Sequence, residues 1–235
     1  TLDANRIYWN VYGWNHQLAA AATGGPLMAF QENGHLAGHD YEEDIYAETV
    51  AKGLNHVLDN GNGGKGAIPA HSDGIAVRND DSNGDGVGAY ITTETYASAW
   101  GALSLVFSQT SATAAQSTFV KSGPFKGMSY CNLVTDIVDQ YAWSTGDGGV
   151  CGGFEYNPTT QNQPRYDGSA QQWPTLLVKA AKDRWGINPP PWYISSSKCG
   201  FRAMHNSQVA VVSGNRWCAY ARFNHCRKRS PENHA

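Results

Sequence analysis

Apolar residues recur at helical spacing in five stretches of the chain. Ile7, Val11, Trp14 and Leu18 form the first stripe, with Asp3 placed to cap it and Thr23-Gly24-Gly25-Pro26 reading as its end. Tyr46, Val50, Leu54 and Val57 predict a second helix over 42–58, entered from Asp40 or Asp44. Gly53 inside it costs ~1 kcal/mol relative to alanine, which implies close packing against a neighbour. Tyr96, Trp100, Leu103 and Phe107 mark a third helix starting at Thr92 or Thr93. Leu133, Ile137 and Tyr141 mark a fourth over 129–143. Trp173, Leu176, Leu177 and Ala180 mark a fifth over 170–185, where Pro174 is tolerated only in the first turn.

What lies between is polar and rich in turn residues. Residues 59–88 read as one long glycine-dense loop, and 108–127 as a Ser/Thr/Ala-rich connector with a helical turn. Gly186 to Pro191 reads as a hard stop, and strand signals are sparse. Three helix entries share one layout: a glycine-rich loop, a polar entry, then an aromatic or small-residue helix. They lead into Tyr46-Ala47-Glu48-Thr49, Thr93-Glu94-Thr95-Tyr96-Ala97 and Tyr166-Asp167-Gly168-Ser169. One amphipathic hairpin cannot bury its own face, so such units stack on their neighbours.

Composition narrows the function classes. With 235 residues and a net charge of −3, the chain can bury a sizeable core and has no bulk electrostatic attraction for nucleic acid. No apolar run is long enough to span a membrane. Charge is uneven: from Trp192 to Ala235 seven Lys/Arg stand against the single acid Glu232. That segment also holds Cys199, Cys218 and Cys226, three of the five cysteines. Its weak patterning sets it apart, so the expected organisation is a repeat domain over 1–191 and an atypical basic, Cys-rich tail over 192–235, either an appendage or the product of a shifted reading frame. The chain starts at Thr1 without Met, which suggests a processed protein or a fragment, with an export signal removed.

The run Gly152-Gly153-Phe154, a variable loop, Asp167-x-Ser169 and a small/aromatic helix resembles the repeat of the terpenoid-cyclase/protein-prenyltransferase α/α-toroid superfamily. The likeness extends from about Asp40 to Trp192 and is nearest to proteins with prenyltransferase/squalene-oxidase-type repeats. It implies a mainly helical fold, an α/α-toroid-like array of helix hairpins with long glycine-rich loops, and an incomplete one. A partner chain or a further segment would then cover its open edge. A packing signature of this kind carries no reaction with it.

The chemistry-bearing residues match no complete catalytic set. The cyclases' Asp-x-Asp-Asp acid is absent; Asp136 and Asp139 are the nearest pair, on one helix face expected to be solvated. A prenyltransferase-type zinc site would need a histidine beside Asp139 and Cys151, and none lies between His71 and His205. Asp81-x-Asn83-x-Asp85-Gly86 matches the first half of an EF-hand loop, which makes calcium the candidate cofactor and a polar turn the simpler account. His35 and His39 lie near Asp40, Glu42 and Glu43, and Cys199, His205, Cys218, His225 and Cys226 offer ligand types without ligand spacing. The expectation is therefore a non-catalytic scaffold or binding domain. The alternative is a divergent cyclase- or prenyltransferase-like or carbohydrate-active enzyme with Glu94, Asp139 or Asp167 as acid and a cavity lined by Trp143, Phe154, Tyr166 and Trp173.

Overall fold

A computed structural model describes residues 18–59, 62–69, 79–145, 152–161 and 167–212, with side chains described as far as Arg202. The fold is mainly helical, with 55% helix, and the described residues form seven helices and one two-stranded sheet. In order these are α1 (Ala19–Glu32), α2 (Ala47–Leu58), β1 (Gly64–Ala67), β2 (Val87–Tyr90), α3 (Thr95–Phe107), α4 (Ala112–Ser117), α5 (Tyr130–Ser144), α6 (Gly168–Trp185) and α7 (Pro191–Val212).

Helix α3 is the centre of the packing, with α1 against one part of it and α6 against another. Its sequence TYASAWGALSLVF has almost no polar stripe, and residues all round it are buried, as a helix enclosed by neighbours requires. Helix α2 packs on α1 and α3, and α5 packs on α3 and α6. The core runs through these elements and includes Leu27, Val50, Leu54, Ile91, Leu105, Leu133, Ile137 and Leu177.

Thr23-Gly24-Gly25-Pro26 does not end a helix; α1 runs through it. A Cβ on Gly24 would stand 2.7 Å from the carbonyl oxygen of Trp100, so this glycine lets α1 and α3 approach closely. Gly53 meets its expectation: a Cβ there would be 2.7 Å from a Leu27 methyl, at the contact of α2 with α1. Helix α2 starts later than its apolar pattern suggests, because Asp44 accepts from the Tyr46 N–H (3.0 Å) in a turn that precedes the helix. Pro174 is the seventh residue of α6, beyond the first turn, and is buried there. Helix α6 begins with Asp167 as N-cap and ends at Gly186 with φ 72°, a left-handed C-cap.

Two further departures bear on organisation. The glycine-dense stretch after α2 contains antiparallel strands, with Gly64 opposite Tyr90 and Ala67 opposite Val87. Beyond Gly186, the proline run starts a helix: Pro191 is the first residue of α7, where its missing N–H costs nothing. Tyr193 on α7 is 1% exposed and packs against Phe154 with ring centroids 6.3 Å apart. The helical layout therefore continues past residue 191, and residues 213–235 lie outside those described.

Candidate functional site

Two groups of acidic side chains stand out. The first lies where α5 meets the sheet and the loop that leads into β2. Ser129 caps α5, its hydroxyl accepting from the Asn132 N–H at 3.1 Å. From there Asn132, Asp136, Asp139 and Gln140 follow at intervals that share one helix face. The expected solvated face is in fact covered: Asp136 is 1% and Asp139 0% exposed, because β2 and the loop 79–86 lie over it. Gly88 makes the cover close, since a Cβ there would stand 2.3 Å from Oε1 of Gln140.

The loop's polar residues serve both the turn and the helix. Asp81 accepts from the N–H groups of Gly84 (2.7 Å) and Gly86 (2.8 Å), and Asp85 accepts from the Val87 N–H (2.8 Å). Gly84 and Gly86 have φ of 81° and 73°, which glycine adopts freely. The loop is tied to α5 by two contacts. The N–H and hydroxyl of Ser82 donate to Asp139 Oδ2 at 2.9 and 3.0 Å. Asn83 Nδ2 donates to Asp136 Oδ1 at 2.9 Å and to Asp85 Oδ2 at 3.3 Å. The remaining oxygens, Asp136 Oδ2 and Asp139 Oδ1, are buried with no hydrogen-bond partner.

This environment disfavours ionisation. Burial is the main cause that pushes the Asp136 carboxyl up to about 7, with the charges of Asp85, Asp139 and Asp81 adding to it against the Asn83 hydrogen bond. Burial likewise pushes Asp139 up to about 7, against the Ser82 hydrogen bonds and with the help of Asp81 and Asp85. The two titrate as a pair. Beside them is a cavity of about 480 Å³, whose wall includes Lys65, Asp85, Phe119, Ser129, Asn132 and Asp136. Phe119, 54% exposed, offers an aromatic face at its edge.

The second group lies at the start of α3 and α6. Glu94 precedes α3 in extended conformation, and Asp167 caps α6, accepting from the Ser169 N–H and hydroxyl and the Ala170 N–H. Tyr156 joins them: its carbonyl accepts from the Thr95 N–H (2.7 Å) and its hydroxyl donates to Asp167 Oδ2 (2.9 Å). Tyr96 stands edge-on to Tyr156, with centroids 6.1 Å apart. Burial raises Glu94, whereas the Ser169 hydroxyl, with Tyr156 and two backbone N–H groups, holds Asp167 below the usual carboxylate range. Two of the three acids singled out in the sequence thus share one end of the helix pair, and Asp139 belongs to the other group.

The other sequence candidates fall elsewhere. Phe154, 1% exposed, packs between Tyr141 and Tyr193, and Trp173 lies edge-on to Trp100 at 4.5 Å between α6 and α3. Trp143 is 6% exposed on α5. These three are packing residues, and none of them lines the cavity beside α5. Tyr166 lies outside the described residues. His35 and His39 both direct Nδ1 at Asp44 (2.9 and 3.2 Å), while Asp40 accepts from the Glu42 N–H. Cys199 is disulfide-bonded, which removes it as a thiolate ligand, and Cys131 is a free thiol. Among the described residues, no three His, Cys, Asp or Glu side chains form a group that could hold a metal ion as they stand.

Phe119, Lys65, Ser129 and Asn132 escaped the sequence reading. Asn132 carried a usable signal, being four residues before Asp136 on the same helix face. Lys65 and Phe119 carried none, since they reach the cavity through a strand and a connector of no clear periodicity. No helix among the described residues is long and apolar enough to cross a membrane. Comparison of the chain with protein-family models, with curated proteins and with solved structures finds no match in any of the three.

Proposed function

We propose that this chain is a binding domain built from stacked helix hairpins in an incomplete toroid-like arc, and that its ligand is neutral and rich in hydroxyls, as an oligosaccharide is. The observation that carries this reading is the composition of the cavity wall beside α5. An exposed aromatic ring at Phe119 shares that wall with the polar residues Ser129, Asn132 and Asp136. Stacking on an aromatic face together with a few fixed polar groups is how such ligands are held. In the same reading a partner chain, or chain outside the described residues, covers exposed apolar side chains such as Leu176, Ile194 and Phe201.

Calorimetric titration with a panel of neutral oligosaccharides tests it. Binding to at least one class should weaken about tenfold, or about 1.4 kcal/mol, in Phe119→Ala and in Asn132→Ala. A folded chain that binds none of the panel would rule the reading out.

A second reading rests on the opposite shifts of Glu94 and Asp167. Environments that push two carboxyls apart suit an acid and a base of one reaction. Turnover of a glycoside substrate that is lost in both Glu94→Gln and Asp167→Asn would favour this reading over simple binding.

A further inference from the structure

The loop 79–86 and α5 bring together more negative charge than any described neighbour offsets. Asp81 and Asp85 come from the loop, and Asp136 and Asp139 from the helix. Among the described residues Lys65 is the one basic side chain on the cavity wall, and it lies on an exposed part of β1. Buried carboxylates persist when protonated, paired or bound to a cation. The α5 carboxyls are not fully paired. Asp136 at 1% exposure and Asp139 at 0% each keep one buried oxygen without a partner, and Asp136 shares the cavity wall with Asp85.

The positions of the donors show where a cation would go. The side-chain amide nitrogen of Asn83 stands between Asp136 Oδ1 at 2.9 Å and Asp85 Oδ2 at 3.3 Å. Its partly positive N–H groups sit at the meeting point of two carboxylates from separate elements. A rotation of that amide would bring Oδ1 to this point and leave three oxygens facing one another, at the loss of the hydrogen bond that Oδ1 accepts from the Asp85 N–H at 3.1 Å.

We propose that this junction is a calcium site, with Asp85 and Asp136 as carboxylate ligands, Asn83 as amide-oxygen ligand, and water completing the shell. Ligands of oxygen alone, with no His or Cys among them, select a hard cation. Calcium takes six to eight oxygens in flexible geometry, whereas magnesium demands a near-ideal octahedron. Two carboxylates and one amide fall short of a preformed acidic cage, so an ion here keeps several waters and binds at the weak end of the range, with Kd of about 10⁻⁴ M. Asp139 and Asp81 position the site: Asp139 holds Ser82, and Asp81 closes the turn on Gly84 and Gly86. The site does not depend on the oligosaccharide proposed above.

The test uses the full chain stripped with chelator and returned to pH 7.5. Titration with CaCl2 should give a saturable heat, and a melt in about 5 mM CaCl2 should lie several degrees above that in EDTA, with a smaller rise in MgCl2. Asp85→Asn and Asp136→Asn should each weaken calcium binding at least tenfold. In EDTA, Asp136→Asn should melt no lower than the parent chain, which separates loss of the ion from loss of the fold. A folded parent chain that shows neither heat nor a shifted melt at about 10 mM CaCl2 overturns the proposal. So does calcium binding that Asp136→Asn leaves unchanged, since the ion would then sit elsewhere.

Discussion

Asp136 and Asp167 are both carboxyls at helices, and their surroundings treat them in opposite ways. Asp167 stands at the first turn of α6, where backbone N–H groups point outward and the Ser169 and Tyr156 hydroxyls add donors. There the negative form is the stable one. Asp136 stands in the middle of α5, where every backbone N–H is already used, under a sheet and a loop that exclude water. One oxygen finds the Asn83 amide, the other finds nothing, and the nearest charges are negative. What separates a structural carboxylate from a reactive or ligand-binding one is therefore the supply of donors. Asp167 has them in excess and acts as a cap; Asp136 and Asp139 each keep one oxygen without a donor and hold a proton, or at Asp136 a cation, instead.

The largest effect that follows concerns pH. Asp136 and Asp139 have folded-state pKa values of about 7, above the range of an unfolded aspartate. Between pH 4 and 7 the folded chain therefore binds more protons than the unfolded one, and stability falls as pH rises through that window. Below it both states are protonated, and above it both are ionised, so the change is confined there. In urea unfolding with EDTA present, the chain should be about 2–4 kcal/mol more stable at pH 5 than at pH 7.5 as far as this pair is concerned. The Asp136→Asn/Asp139→Asn double variant should lose most of that difference. A chain that gains stability from pH 5 to 7.5, unchanged by the double variant, would break the contrast with Asp167.

A smaller effect is expected at the other end. Asp167→Ala removes the N-cap and the partner of the Tyr156 hydroxyl, and should lower stability by about 1–2 kcal/mol at pH 7. Because the Asp167 pKa is lowered, its contribution is present above the ordinary aspartate range and is lost as pH falls through its folded value. The cost of Asp167→Ala should accordingly shrink in acid, the reverse of the α5 pair. Smallest of all is Glu94→Gln. Glu94 makes no side-chain capping bond, and the change should stay within about 0.5 kcal/mol in the same unfolding assay.

Local features were legible in the sequence where one element carried the whole signal. The Asp167 helix entry, the Gly186 stop, and Gly53 as a close approach all follow from residue chemistry within a few positions. Features that depend on a distant partner were not. Gly24-Gly25-Pro26 reads as a stop until Trp100 is known to press on it from α3. The strands GKGA and VGAY lack large alternating side chains, so neither announces itself, and yet they and the loop before β2 decide whether the face of Asp136 and Asp139 meets water. The spacing of those two acids was visible; their burial depended on a segment about fifty residues earlier. The aromatic residues were misleading for a related reason: Phe154 and Trp173 fill the joints between helices, while the exposed ring beside the cavity is Phe119 in an unpatterned connector.

In the ion-free chain the α5 carboxyls are held neutral up to near-neutral pH. Carbon-13 NMR of the aspartate side-chain carboxyls, followed against pH in EDTA, reads this directly. Two signals should shift near pH 7, each lost in one of Asp136→Asn and Asp139→Asn, while the Asp167 signal titrates below the ordinary aspartate range. Carboxyl signals of Asp136 and Asp139 that both titrate near pH 4, as in an unstructured peptide, would contradict the account.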